Sequence, residues 1–136
     1  MESKNSLIVD AVITWVYGND SKHREKMSQY IENKNSLSNK LVRMRYDQVY
    51  EIEFSVKSIL KYAEFVRNIF IVTDNQIPDF FKDIKTAKQK YSNIFIIYHC
   101  VIFRDYKDYL PTFNCLPIEF LLYKNSKFSR TFFVFE

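Results

Sequence analysis

Four short apolar runs, three of them followed closely by polar residues, constrain what this chain can fold into more than any other feature. The first, Leu7 to Val16, reads Leu-Ile-Val-Asp-Ala-Val-Ile-Thr-Trp-Val. The second, Asn68 to Thr73, reads Asn-Ile-Phe-Ile-Val-Thr, and the third, Asn93 to Tyr98, reads Asn-Ile-Phe-Ile-Ile-Tyr. Thr131 to Phe135 is the fourth. Runs this rich in β-branched residues, and nearly continuous in apolar character, fit strands of a parallel sheet covered on both faces. Helical patterns fill the gaps. One is predicted from Ser21 to about Asn33. A second is capped by Asp47 and runs to about Tyr62, with Ile52, Val56, Ile59, Leu60 and Ala63 along its apolar side. A third starts at Pro78, which suits a first helical turn. A fourth is capped by Asn114, with Pro117 tolerated in its first turn. The order strand, two helices, strand, helix, strand, helix, strand predicts an α/β fold: a Rossmann-like parallel sheet flanked by helices.

In such sheets ligands bind outside the carboxyl ends of the strands. The polar residues of this chain gather there. Thr14, Gly18 and Asp20 follow the first strand; Thr73, Asp74, Asn75 and Gln76 follow the second; His99 follows the third. A plain turn has no need of four polar side chains in a row, so Thr73 to Gln76 is the leading site candidate. Asp10 interrupts the first strand and is either paired in the core or exposed near a ligand cleft. Trp15 reads equally well as core and as a stacking platform for a base or ribose. Lys57, taken alone, is an exposed helix position. Lys22, His23, Arg24 and Lys26 are expected to form a solvated helix face.

The 136 residues amount to one domain, and a 47% hydrophobic share excludes a disordered chain. The net charge of +4 is spread along the sequence, which suits an anionic ligand such as a nucleotide and argues against nucleic acid as a partner. Cys100 and Cys115 form no CxxC pair and have no histidine at a zinc-like spacing; both are expected to be buried free thiols in a reducing compartment. The N-terminus has no signal-peptide core and no apolar stretch reaches the length of a membrane span. The expected location is the cytoplasm, at most peripheral to the inner face of the membrane.

Three segments carry a family resemblance. Val9-Asp10-Ala11-Val12-Ile13-Thr14-Trp15-Val16-Tyr17-Gly18-Asn19-Asp20 is the first. The second runs from Arg45-Tyr46-Asp47 through Glu51-Ile52-Glu53-Phe54-Ser55-Val56-Lys57-Ser58-Ile59 to Val66-Arg67-Asn68-Ile69-Phe70-Ile71-Val72-Thr73-Asp74-Asn75-Gln76-Ile77-Pro78. The third holds His99, Leu110-Pro111-Thr112-Phe113-Asn114 and Ile118-Glu119. In this order and spacing they resemble the Stealth family, which includes capsular polysaccharide phosphotransferases and the catalytic subunit of N-acetylglucosamine-1-phosphotransferase. The resemblance covers most of the chain and matches the N-terminal portion of that family's domain. It departs at Lys57, where the family usually has Arg, and at Phe65, where it usually has Trp. An Asn-Asp-Asp stretch after the last strand, and two later regions, one with a catalytic histidine, have no counterpart. The expectation is therefore residues 1–136 as the N-terminal part of one domain, its sheet incomplete at the C-terminus, in a truncated form.

The resemblance implies transfer of a hexose-1-phosphate from a nucleoside-diphosphate sugar to a hydroxyl of a polysaccharide or glycan acceptor, in capsular or surface polysaccharide synthesis. The product would be a phosphodiester. Asp74 would be catalytic and would hold a divalent metal, Mg2+ by expectation, with His99 as a supporting proton-transfer group. Substrate contacts would come from Asp10, Thr14, Trp15, Gly18, Arg45, Lys57, Thr73, Asn75, Gln76, Thr112 and Asn114, with Arg45 and Lys57 facing phosphates. The alternative is a catalytically inactive nucleotide-sugar-binding or protein-interaction fragment. An ordinary glycosyltransferase often carries an Asp-x-Asp metal motif, and this sequence has none.

Overall fold

Strand β1 (Val9–Thr14) forms the middle of the structure, a computed structural model, because it is bonded on both sides. The structure describes residues 7–18, 20–30, 51–110, 115–122, 128 and 131–135. Along the chain β1 is followed by α1 (Ser21–Tyr30), α2 (Glu51–Tyr62), β2 (Val66–Thr73), a 3-10 turn at Asp79–Phe81, α3 (Ile84–Lys90), β3 (Ile94–Tyr98), α4 (His99–Ile102), a second 3-10 turn at Lys107–Tyr109, α5 (Cys115–Leu122) and β4 (Thr131–Phe135). The sheet has the order β3-β2-β1-β4 and all three pairings are parallel. The expected α/β arrangement is thus observed.

The strand order explains the placement of the helices. The chain steps outward from β1 to β2 to β3, then returns past both to add β4 on the far side of β1. Right-handed crossovers in the two directions put their helices on opposite faces. Accordingly Ala11, Ile13, Ile69, Ile71 and Ile94 pack with Ile52, Val56 and Ile59 of α2 and with Phe81, Ala87 and Tyr91. On the other face Val12, Phe70, Val72 and Ile97 pack with Ile102, Phe103, Ile118, Leu121, Leu122 and Phe128. Alternate residues of β1 serve the two cores, as the period of a strand requires.

α2 shows how local sequence fits this scheme. Ile52, Val56 and Ile59 recur at helical spacing and are buried. Glu51 and Glu53 lie in its first turn and Lys61 in its last, which complements the helix dipole. Pro78 opens only the 3-10 turn and not the predicted helix. The helix proper starts six residues later, because Asp83 caps it, its Oδ2 accepting from Thr86 Oγ1 at 2.7 Å and its Oδ1 from Thr86 N at 3.5 Å. The predicted caps Asp47 and Asn114 lie outside the described residues.

Asp10 is fully buried and sits opposite an irregularity. Val9 pairs with Val66 but Ala11 with Ile69, so β2 spends one extra residue beside Asp10. The Asp10 carboxylate fills the gap. It accepts from Arg67 Nε at 3.0 Å, from Arg67 Nη2 at 2.7 Å and from the Asn68 backbone N–H at 3.2 Å. This fork-shaped ion pair pins the amino ends of β1 and β2. Asn93 extends the anchor to β3, its Nδ2 donating to the Arg67 carbonyl at 3.3 Å.

Candidate functional site

Parallel pairing brings the carboxyl ends of the strands to one edge, with Thr14 beside Val72 and Thr73 beside Tyr98. The segment after β1 is built from backbone contacts outward. Trp15 N donates to Val72 O at 2.9 Å, which extends the sheet by one bond. Gln76, from the loop after β2, then grips Tyr17 twice: its Oε1 accepts from Tyr17 N at 2.8 Å and its Nε2 donates to Tyr17 O at 3.0 Å. Asp20 starts α1 by accepting from His23 N at 2.9 Å, and Arg24 Nε donates back to the Gly18 carbonyl at 3.2 Å. Thr14 Oγ1 donates to the Phe135 carbonyl at 3.4 Å across the end of the sheet.

These contacts shape a cleft of about 640 Å3 between the loops after β1 and β2. Trp15, Tyr17 and Phe80 give it aromatic walls; Lys22 and Lys82 bring positive charge and Asp20, Glu53 and Asp79 negative charge, with Lys82 paired to Asp79. The rings of Trp15 and Tyr17 stack at 6.5 Å and 15°. Trp15 is buried in the core beneath the sheet edge and also lines the cleft.

A second pocket of about 260 Å3 opens beside the first, lined by Lys26, Gln29, Asp74, Asn75, His99, Cys100 and Leu110. Asn75 lines both, and its φ of 53° lies in the left-handed region, which asparagine tolerates better than most residues. Asp74 is largely buried and meets α1. Its Oδ2 lies 3.4 Å from His23 Nδ1, and its Oδ1 lies 3.4 Å from Lys26 Nζ. The neighbouring His23 imidazole holds the Asp74 carboxyl below the usual carboxylate range; burial opposes this and the Lys26 ammonium reinforces it. His99 is 3% exposed, and neither of its ring nitrogens has a hydrogen-bond partner among the described residues. Burial pushes its pKa down to about 4, against the opposing pull of Asp74, so the ring is neutral at pH 7.

Residues 45–136 match the family described as Stealth protein CR2, conserved region 2. This chain belongs to the Stealth family. It is 38% identical over 129 residues to a capsular polysaccharide phosphotransferase of Actinobacillus pleuropneumoniae, covering 93% of this chain and 34% of that protein. Identity is 39% over 128 residues with the corresponding phosphotransferase of Haemophilus influenzae, covering 93% and 33%. An exopolysaccharide phosphotransferase of Streptomyces coelicolor is 34% identical over 131 residues, covering 93% and 22%. The Stealth chain thus spans about a third or less of the length of these relatives.

Thr14, Trp15, Gly18, Thr73, Asp74, Asn75, Gln76 and His99 of the Stealth chain do converge at the carboxyl edge of the sheet. Three expectations change. Asp10 stands four residues before the end of β1, roughly 13 Å away at the rise of a strand, and its carboxylate is taken up by Arg67 and Asn68. It anchors the sheet and does not orient the turn. Lys57 lies on the surface of α2, 2.8 Å from Glu53, which raises its pKa; it is absent from the lining of both cavities. Cys100 is exposed, because it lies in the first turn of α4 at the pocket rim and not in a strand. Arg45, Thr112 and Asn114 lie outside the described residues, as does the side chain of Cys115.

His23 and Lys26 were missed. Only 3% of His23 is exposed, so the expected solvated face is wrong at that residue. The signal was their spacing: residues three apart share one side of a helix. No helix among the described residues is long and apolar enough to cross a membrane.

Mg2+ is commonly held by one or two carboxylates together with substrate phosphates and waters, and less often by an all-protein shell. Among the described residues no group of three acidic, histidine or cysteine side chains is arranged to hold a metal. The Asp74 carboxylate, moreover, already faces the Lys26 ammonium. The described residues of the Stealth chain thus supply no protein-only shell for a metal at Asp74.

Proposed function

We propose that this chain forms the nucleotide-binding side of a sugar-1-phosphate transferase. In that reaction an acceptor hydroxyl bonds to the phosphorus that carries the sugar. The bond to the bridging oxygen breaks, the nucleoside monophosphate leaves and a phosphodiester remains. The donor is a nucleoside-diphosphate hexose and the acceptor a growing polysaccharide, in line with the names of the relatives.

The observation that carries this reading is the pair of adjoining cavities that share Asn75. The larger has aromatic walls for a base and lies at the start of α1, where Lys22 brings positive charge beside the carboxylates of Asp20, Glu53 and Asp79. The smaller holds Asp74 and His99, the groups we assign to the reacting end. Phosphoryl transfer depends chiefly on positioning and charge stabilisation, and Lys22 and Lys26 supply positive charge along the path. His99, with its pKa near 4, is a poor proton acceptor at neutral pH, so its place is as a hydrogen-bonding group.

A second reading, an inactive nucleotide-sugar-binding fragment, is favoured by His99, which burial holds at a pKa of about 4 and leaves a poor proton acceptor at neutral pH. Two measurements separate these. Titration calorimetry of the chain with UDP-N-acetylglucosamine and CDP-glucose, with and without magnesium, tests the shared premise: no saturable binding by folded protein would refute both. Release of nucleoside monophosphate in the presence of acceptor supports transfer, and release of diphosphate would indicate movement of the sugar without its phosphate. Where turnover is found, Asp74→Asn is expected to abolish it and leave the fold intact.

A further inference from the structure

His99 poses a problem that the fold alone does not solve. A buried polar group without a hydrogen bond is costly, and structures rarely leave one so. Here both ring nitrogens of one imidazole lack a partner among the described residues, and the residue is 3% exposed and lines a pocket. A neutral imidazole presents one donor and one acceptor. A phosphate oxygen satisfies the donor alone. A hydroxyl satisfies either, since it carries both a proton and lone pairs.

The rest of the pocket has the same mixed character. Lys26 and Gln29 bring donors, Asp74 brings an acceptor held in its ionised form, and Leu110 brings an apolar wall. Its volume of about 260 Å3 is several times the ~30 Å3 a water takes in the liquid. We propose that this pocket seats a hexose ring, with His99 pairing to the ring's hydroxyls. The inference rests on the function proposed above and adds where the sugar lies: across Asn75 from the nucleotide cleft. The hexose comes either from the donor or from the end of the acceptor, since both present the same hydroxyls.

Cys100 makes the pocket readable. It is an exposed thiol on the pocket lining, next to His99 in sequence. The experiment measures alkylation of Cys100 by iodoacetamide, resolved from Cys115 by peptide mass spectrometry, alongside calorimetric affinities. The ligands are UDP, UDP-N-acetylglucosamine, CDP, CDP-glucose, and a methyl hexoside added with or without the diphosphate. The nucleotide sugars are expected to slow Cys100 alkylation at least fivefold beyond the diphosphates and to bind at least tenfold tighter. In His99→Leu that gap in affinity should close, and in His99→Asn, which keeps a donor and an acceptor, it should be partly retained. Thermal melts of both variants confirm that they are folded.

Protection by the methyl hexoside in place of the conjugated sugar also supports the proposal and assigns the ring to the acceptor. If the diphosphates bind but no hexose protects Cys100, the pocket holds only water and this inference falls while the nucleotide site stands. A gap that survives intact in folded His99→Leu would overturn it equally. If neither diphosphates nor nucleotide sugars bind, the parent reading fails first.

Discussion

Gln76 holds Tyr17 by both of its backbone polar groups, at 2.8 and 3.0 Å, so the loop after β2 fixes the loop after β1. Gln76→Leu removes both bonds and leaves the Tyr17 N–H and carbonyl in need of partners. We expect a loss of roughly 1–3 kcal/mol in urea unfolding. We also expect weaker nucleotide binding, because the aromatic wall of the cleft rests on this clamp. Full stability in that variant would show that the clamp is dispensable.

The chain has a single tryptophan, and it lines the cleft. Intrinsic tryptophan fluorescence therefore reports on that cavity alone. Titration with UDP or CDP is expected to change Trp15 emission along the same saturation curve as calorimetric heat. Heat without a fluorescence change would place the nucleotide elsewhere.

His99 sets an acid limit. Its pKa is 6.5 unfolded and about 4 folded, so between those values the unfolded chain binds the proton more readily. Its contribution is complete above pH 6.5 and lost as pH falls toward 4, a change of about 3 kcal/mol by the size of the shift. Asp74, lowered from 3.8, adds its own loss only below that value. Urea midpoints measured from pH 7 to pH 4 should fall in the native chain and fall much less in His99→Leu.

Arg67→Met tests the anchor at the other end of the sheet. It removes the guanidinium and leaves the Asp10 carboxylate buried with the Asn68 N–H still bonded to it. We expect the chain to unfold at a lower urea concentration, because the fully buried Asp10 carboxylate loses its charge partner. Nucleotide affinity of the folded variant should stay within about twofold, because 1.4 kcal/mol marks a tenfold change and the pair touches neither cavity. A large loss of affinity at unchanged stability would return Asp10 to the binding site.

Legibility followed how local the determining physics was. β4 has the bounds its apolar run predicts, and the Thr73 to Gln76 loop lies at a strand end as expected. Asp10 was ambiguous because its partner lies 57 residues away, and nothing in Leu-Ile-Val-Asp-Ala announces a bulge opposite it. The charge-rich stretch around His23 concealed a buried imidazole, since composition averages over faces that a helix separates. Gln76 looked like a ligand contact because a side-chain amide that imitates a backbone partner carries no signature of its own.

The strand order also bears on how the chain reaches this state. β1 pairs with β4 through contacts such as Val9 with Thr131, which close a very long loop, while β2 and β3 pair across a short one. Contacts of such separation slow folding, since the entropy of closure must be met before they form. During synthesis, at about 5–20 residues per second, the β1 edge that β4 later occupies stays open until the Thr131–Phe135 segment emerges. For several seconds the nascent protein carries an unpaired, apolar strand edge, the period in which a chaperone has most to shield.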